Sequence, residues 1–232
     1  MSDVFLEVIV CSVEDAVEAE AGGAHRLEMV SRLDVGGLTP TVELVRQIKA
    51  EVSLPLRVMV RENVGFEGGD DVGALCETAV VMNEIGVDGL VLGFLRNGEL
   101  DEQTLSKVLS SAPRLNATFH HAFEAAADKQ RLIQALKKFP QIDRILAHGG
   151  QGDWSEKIER LISYQSIAMP AIRILVGGGL DPSVIKSIRG RSDLNEFHVG
   201  SAAREDGQVR RTRVAELVTH SLAAPPLNTP LT

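Results

Sequence analysis

The feature that most constrains this chain is a repeat. Short apolar runs rich in Val, Ile and Leu alternate with amphipathic segments along almost its whole length. The runs lie near 4–10, 25–30, 55–61, 87–93, 116–121, 143–148, 171–176 and 196–199, and each has the length of a strand. The segments between them have the length and spacing of helices, near 12–21, 41–51, 71–85, 101–111, 128–138, 155–166, 181–189 and 208–221. A helix after every strand carries the chain back to the starting end, so the strands pair in parallel and the helices cover the sheet. Repeating the unit eight times predicts closure into a single (β/α)8 barrel of the α/β class.

An open doubly wound sheet is the competing architecture. It usually has fewer strands and carries Gly-x-Gly-x-x-Gly after the first one. Here the first run leads into Cys11-Ser12-Val13-Glu14, which reads as a helix capped by Ser12. Further punctuation agrees with the barrel: Thr39-Pro40 and Asp181-Pro182 open the second and seventh helices, and Gly22-Gly23 and Gly86 close the first and third. A chain of 232 residues, 44% of them hydrophobic, suits one barrel domain over 1–222. Residues 223–232 hold three prolines and no periodicity, and are expected to be loosely held. The longest irregular stretch, Glu62 to Asp70 with glycines at 65, 68 and 69, follows the third strand and reads as a lid.

The net charge of −8 argues against nucleic acid or an anionic membrane as the main partner. No apolar stretch approaches the length of a membrane span, and Met1-Ser2-Asp3 lacks a basic leader, so a cytoplasmic protein is expected. The two cysteines, Cys11 and Cys76, form no CxxC or His/Cys cluster.

Charge inside the strands is the functional signal. Side chains alternate between the two faces of a strand, and in a barrel one face looks inward. Leu6, Val8 and Val10 form the helix-facing phase of the first strand, which leaves Glu7 inside. The same count places Arg26, Glu28, Arg57, Arg61, His120 and His198 inside. Two readings follow: the charges satisfy one another as buried pairs, or they line a polar pocket for a small anion. In the second reading His120 and Glu28 are the acid–base candidates, and Glu7, Arg26, Arg61 and His198 bind the ligand. His121 is expected to point outward beside His120, and His148 lies in the phase of Leu146.

Gly177-Gly178-Gly179 after the seventh strand and Gly200-Ser201 after the eighth are either tight turns or an anion seat. Every lysine falls on an expected helix, so a Schiff-base aldolase is excluded.

Several segments together resemble the CutC copper homeostasis family. They are Leu6-Glu7-Val8, Gly22 to Glu28 (GGAHRLE), Gly36-Gly37-Leu38-Thr39-Pro40 and Val58-Met59-Val60-Arg61. Thr118 to Glu124 (TFHHAFE), Arg144-Ile145-Leu146, Gly177-Gly178-Gly179 and Glu196-Phe197-His198 complete the set, in family order from about 6 to 203. The resemblance implies a cytoplasmic barrel, dimeric or tetrameric, linked to copper ion binding. It also implies a pocket carrying Glu7, Arg26, Glu28, Arg61, His120 and His198. The cysteines that copper-binding members carry are here Ile9 or Val10 and Val30, which leaves Cys11 as the candidate metal ligand.

Overall fold

A computed structural model of the chain describes residues 4–69 and 71–222. Eight parallel strands close on themselves: β1 Phe5–Val10, β2 Arg26–Met29, β3 Leu56–Met59, β4 Gly89–Leu92, β5 Asn116–Phe119, β6 Ile142–Ala147, β7 Arg173–Val176 and β8 Glu196–Val199. β1 pairs with both β2 and β8, which makes the sheet a closed barrel. The helices are α1 Val13–Ala21, α2 Val42–Glu51, α3 Val72–Ile85, α4 Glu102–Ser111, α5 Ala122–Ala125, α6 Lys129–Leu136, α7 Trp154–Ala168, α8 Pro182–Arg191 and α9 Arg211–Leu222.

Strand phase decides what packs where. Leu6, Val8, Val10, Leu27, Met29, Val58, Phe119 and Phe197 point outward into one apolar layer shared with the helices. Fully burying a side chain of this size contributes roughly 1.5–3 kcal/mol, so the layer holds the barrel together. Inside, a much smaller apolar cluster of Val30, Met59 and Val91 forms next to Ile9 and Cys11. Leu146 and Leu175 are also buried outside both clusters, and charged strand residues fill much of the remaining interior.

Caps explain most helix starts. Ser12, Asp71, Asp101, Asp128, Asp153 and Asp181 each accept a hydrogen bond from a first-turn N–H. Gly86 ends α3 with φ +76°, a left-handed conformation that glycine adopts without strain.

Two expectations are corrected. Thr41, not Thr39-Pro40, caps α2; Thr39 is drawn away because its hydroxyl and backbone bond to the backbone of Arg61. The last helix begins at Arg211 rather than 208, because Arg204–Glu205 and Gln208–Val209 form a small hairpin turning on Gly207. A second hairpin, Leu95–Arg96 with Glu99–Leu100, and the single turn of α5 carried no separate signal. The tail 223–232 lies outside the described residues.

Candidate functional site

Strand register gathers the interior charges. Glu7 stands opposite His198 on one side and Arg26 on the other, and Glu28 stands opposite Arg57. All seven side chains expected inside are buried, none more than 7% exposed. They do not form one group.

The first group sits under the barrel mouth. Arg26 Nε donates to Glu7 Oε2, and His198 Nδ1 lies 2.8 Å from Glu7 Oε1 and 3.3 Å from Glu28 Oε2. The second group lies toward the opposite end. Arg57 donates to Thr118 Oγ1 at 2.5 Å and Asp143 Oδ2 at 2.7 Å, while Arg144 grips Glu196 through two bonds of 2.9 and 3.1 Å. Arg61 leaves the interior altogether. Its guanidinium donates to the carbonyls of Gly36, Gly37, Val64 and Gly65 and stacks on Phe66 at 5.1 Å. His120 stays in the wall: Nδ1 accepts from Ala122 N–H, and the ring stacks against His121. Its buried Nε2 finds no hydrogen-bond partner among the described residues.

A cavity of about 450 Å³ opens at the C-terminal ends of the strands. Its floor includes Glu28 and His198, and its walls include Ile9, Val30, Leu33, Leu146 and Leu180. Gly177–Gly179, Gly200, Ser201, His121, His148 and Arg204 also line it; the Arg204 guanidinium is tied to Asp15 at 2.8 Å. Neither Arg26, Arg61 nor His120 lines it, and no lysine does. His121, expected to point outward, faces the cavity instead, because the chain turns into α5 directly after β5.

Electrostatics divides the floor groups. The Glu7 carboxyl is held well below its ordinary range: burial opposes ionisation, but Arg26 and the hydrogen bond to His198 outweigh it. Burial, with the Glu7 carboxylate alongside, pushes Glu28 up to about 7. Burial alone would lower His198, yet Glu28 and the bond to Glu7 raise it. Burial and the Arg61 charge bring His121 down to about 4, so it is neutral in the cavity wall.

The glycine loops differ in what they offer. After β6, Glu124 Oε1 already accepts from the N–H groups of His148 at 2.7 Å and Gly149 at 3.0 Å. After β7, Gly177 N–H bonds to Ala147 O, but the N–H groups of Gly178 and Gly179 donate to no group among the described residues. Both glycines have φ near +80°, and a Cβ on Gly178 would meet the His148 Cβ at 2.5 Å. Composition could not separate these loops, because Glu124 reaches its loop only through the fold.

Glu7, Glu28 and His198 bring ligand atoms within 4.8 Å of one another, as a metal site requires. Arg26 and Arg57 both act on this group and already offset its carboxylate charge, which weakens its attraction for a further cation. Cys11 is not part of it. Its Sγ accepts from Arg204 at 3.8 Å, and Cys76 packs on the outer side in α3. Cuprous ion prefers soft sulfur ligands, so the residues at the mouth do not fit it.

The chain is thus a (β/α)8 barrel with a partly polar cavity at the strand ends, where barrels of this type carry their binding loops. It belongs to the CutC family, whose model matches residues 4–203. A CutC family protein of Xanthomonas axonopodis pv. citri is 32% identical, over 84% of this chain and 82% of its own. The human copper homeostasis protein cutC homolog is 31% identical, over 88% of this chain and 76% of its own. The crystal structure of CutC from Streptococcus agalactiae superposes with a TM-score of 0.78 at 25% identity, covering 85% of this chain and 98% of that one. Phosphoribosyl anthranilate isomerase, with a TM-score of 0.62 at 14% identity, shares the fold alone.

Proposed function

We propose that the barrel mouth binds a small phosphorylated or carboxylated metabolite, and that the site is shaped for this ligand rather than for a thiolate-bound copper ion. The free N–H groups of Gly178 and Gly179 at the cavity wall carry the reading. Backbone donors on a glycine turn approach an anion closely and need no cationic side chain. His148 adds a donor. Its Nδ1 accepts from Gly150 N–H, which leaves the hydrogen on Nε2 in the neutral ring.

The copper homeostasis named in the relatives then acts in this chain through the ligand. Cys11 and Cys76 lie on opposite sides of the barrel wall, so they offer no paired thiols. Two free thiols suit a reducing compartment, in keeping with cytoplasmic residence, and no helix among the described residues is long and apolar enough to cross a membrane. The family's dimeric or tetrameric state is part of the same proposal.

Thermal-shift measurements against sugar phosphates and small carboxylates test the reading. A ligand at a hundred times its Kd stabilises by about 2.7 kcal/mol. Gly178→Ala is expected to abolish the shift. A broad panel without a stabiliser overturns the reading. So does tight cuprous binding to the reduced protein that a Cys11→Ser, Cys76→Ser variant loses.

A further inference from the structure

The floor of the mouth holds more than an anion seat requires. His198 turns its Nδ1 edge to two carboxylates, Glu7 Oε1 at 2.8 Å and Glu28 Oε2 at 3.3 Å. Its other edge faces the cavity, where a Cβ on Gly177 would lie 3.4 Å from Cδ2. Glu7 is completely buried and tied to Arg26, so it fixes the ring as a carboxylate fixes imidazole in a hydrolase triad. Glu28 also lines the cavity, yet its buried Oε2 makes no hydrogen bond. That oxygen faces His198 Nδ1 at 3.3 Å as an ion pair, which sets the carboxyl beside the imidazole at the cavity floor. Ile9, Val30, Leu146 and Leu180 give the same cavity apolar walls.

We propose that this floor is a proton-transfer centre acting on a small anionic carbonyl compound. His198 donates a proton through Nε2 to the carbonyl oxygen while Glu28 takes the proton from the adjacent carbon. The C–H electron pair becomes the C=C bond, and the carbonyl π pair moves to the oxygen that receives the proton. Return of a proton to the opposite face of the same carbon gives the epimer; where that carbon carries a hydroxyl, the hydroxyl gives up its proton as the former carbonyl carbon gains one, which gives the isomeric carbonyl compound with no oxidant or reductant. Glu7 is a positioning residue. This assignment moves the acid role from His120, which is shut in the wall, to His198, and it rests on the anion-binding reading above.

A donor that holds its proton and an acceptor poised near neutrality are the pair this chemistry needs. His198 is raised by Glu28 and Glu7 against burial, and Glu28 is pushed to about 7 by burial.

The test follows hydrogen exchange into glycolaldehyde phosphate and pyruvate in D2O by proton NMR, beside thermal shifts with the same compounds. The protein is expected to accelerate exchange of at least one probe by about 100-fold or more over buffer. Glu28→Gln and His198→Gln should return exchange to the buffer rate while the probe still stabilises the protein. Glu28→Asp, which keeps a carboxylate, should retain part of the rate and guards against a folding defect in the first variant. Glu7→Gln should lower kcat with little change in KM and shift the pH profile of exchange. A probe that stabilises the protein without exchanging overturns the proposal, as does exchange that survives Glu28→Gln. Stabilisation by non-carbonyl anions only, with neither probe bound, also overturns the catalytic step and leaves the anion seat standing. No stabilisation by any anion removes the seat itself.

Discussion

Glu28 is a carboxyl that the fold prefers neutral. Its position opposite Arg57 and beside His198 follows from β2, but burial of 97% sets its behaviour. A carboxyl raised from 4.5 to about 7 binds its proton more tightly folded than unfolded. Its contribution to stability is therefore full below about 4.5 and lost as pH rises toward 7, at about 1.4 kcal/mol per unit at most. Urea denaturation at pH 5 and pH 8 should show wild type losing stability relative to Glu28→Gln, and equal losses would refute the assignment. Glu7 has the opposite sign, since its lowered value makes its contribution vanish only as pH falls well below 4.5. The alternation of strand 1 was enough to place Glu7 inside. It could not tell which carboxyl keeps a charge, because both lie in the same phase of neighbouring strands and only the direct bonds of Glu7 to Arg26 and His198 distinguish them.

At the scale of elements, the end of β3 shows where phase counting stops working. Arg57 and Arg61 share a phase, yet regular strand ends at Met59, so the backbone at Arg61 is free to turn its side chain into the loops. There it binds the Gly36–Gly37 turn to the 62–69 loop through four carbonyls. The loop read as a lid is thus pinned at its base, and Phe66 packs on His120 and His121. Arg61→Ala should increase proteolytic cleavage within 62–69 and lower the Tm by several degrees, corresponding to about 1–3 kcal/mol for the lost charge-assisted bonds. Unchanged cleavage would mean the loop is held by Phe66 alone. The carbonyl acceptors left no trace in the sequence, because every residue has one.

At the scale of the whole molecule, closure joins the first and last units. Asp15 in α1 accepts from Arg204 at 2.8 Å, Val209 N–H at 2.9 Å and Cys11 N–H at 3.1 Å, with Arg204 and Asp15 both nearly buried. Asp15→Ala leaves the guanidinium without its carboxylate and should cost about 3–5 kcal/mol in chemical denaturation. A loss below 1 kcal/mol would show that strand pairing alone closes the barrel. The sequence by itself determined the eight repeating units, the outward apolar phase and the inward placement of Glu7, Arg26, Glu28 and His198, because side-chain alternation in a strand is local geometry. Only the tertiary structure decided that Arg61 and His120 leave the mouth, that His121 enters it, and that one glycine loop keeps free N–H groups while another is filled by Glu124. Those outcomes depend on which groups meet across the closed barrel, and a pairing between residues far apart in the chain has no signature in either residue's neighbours.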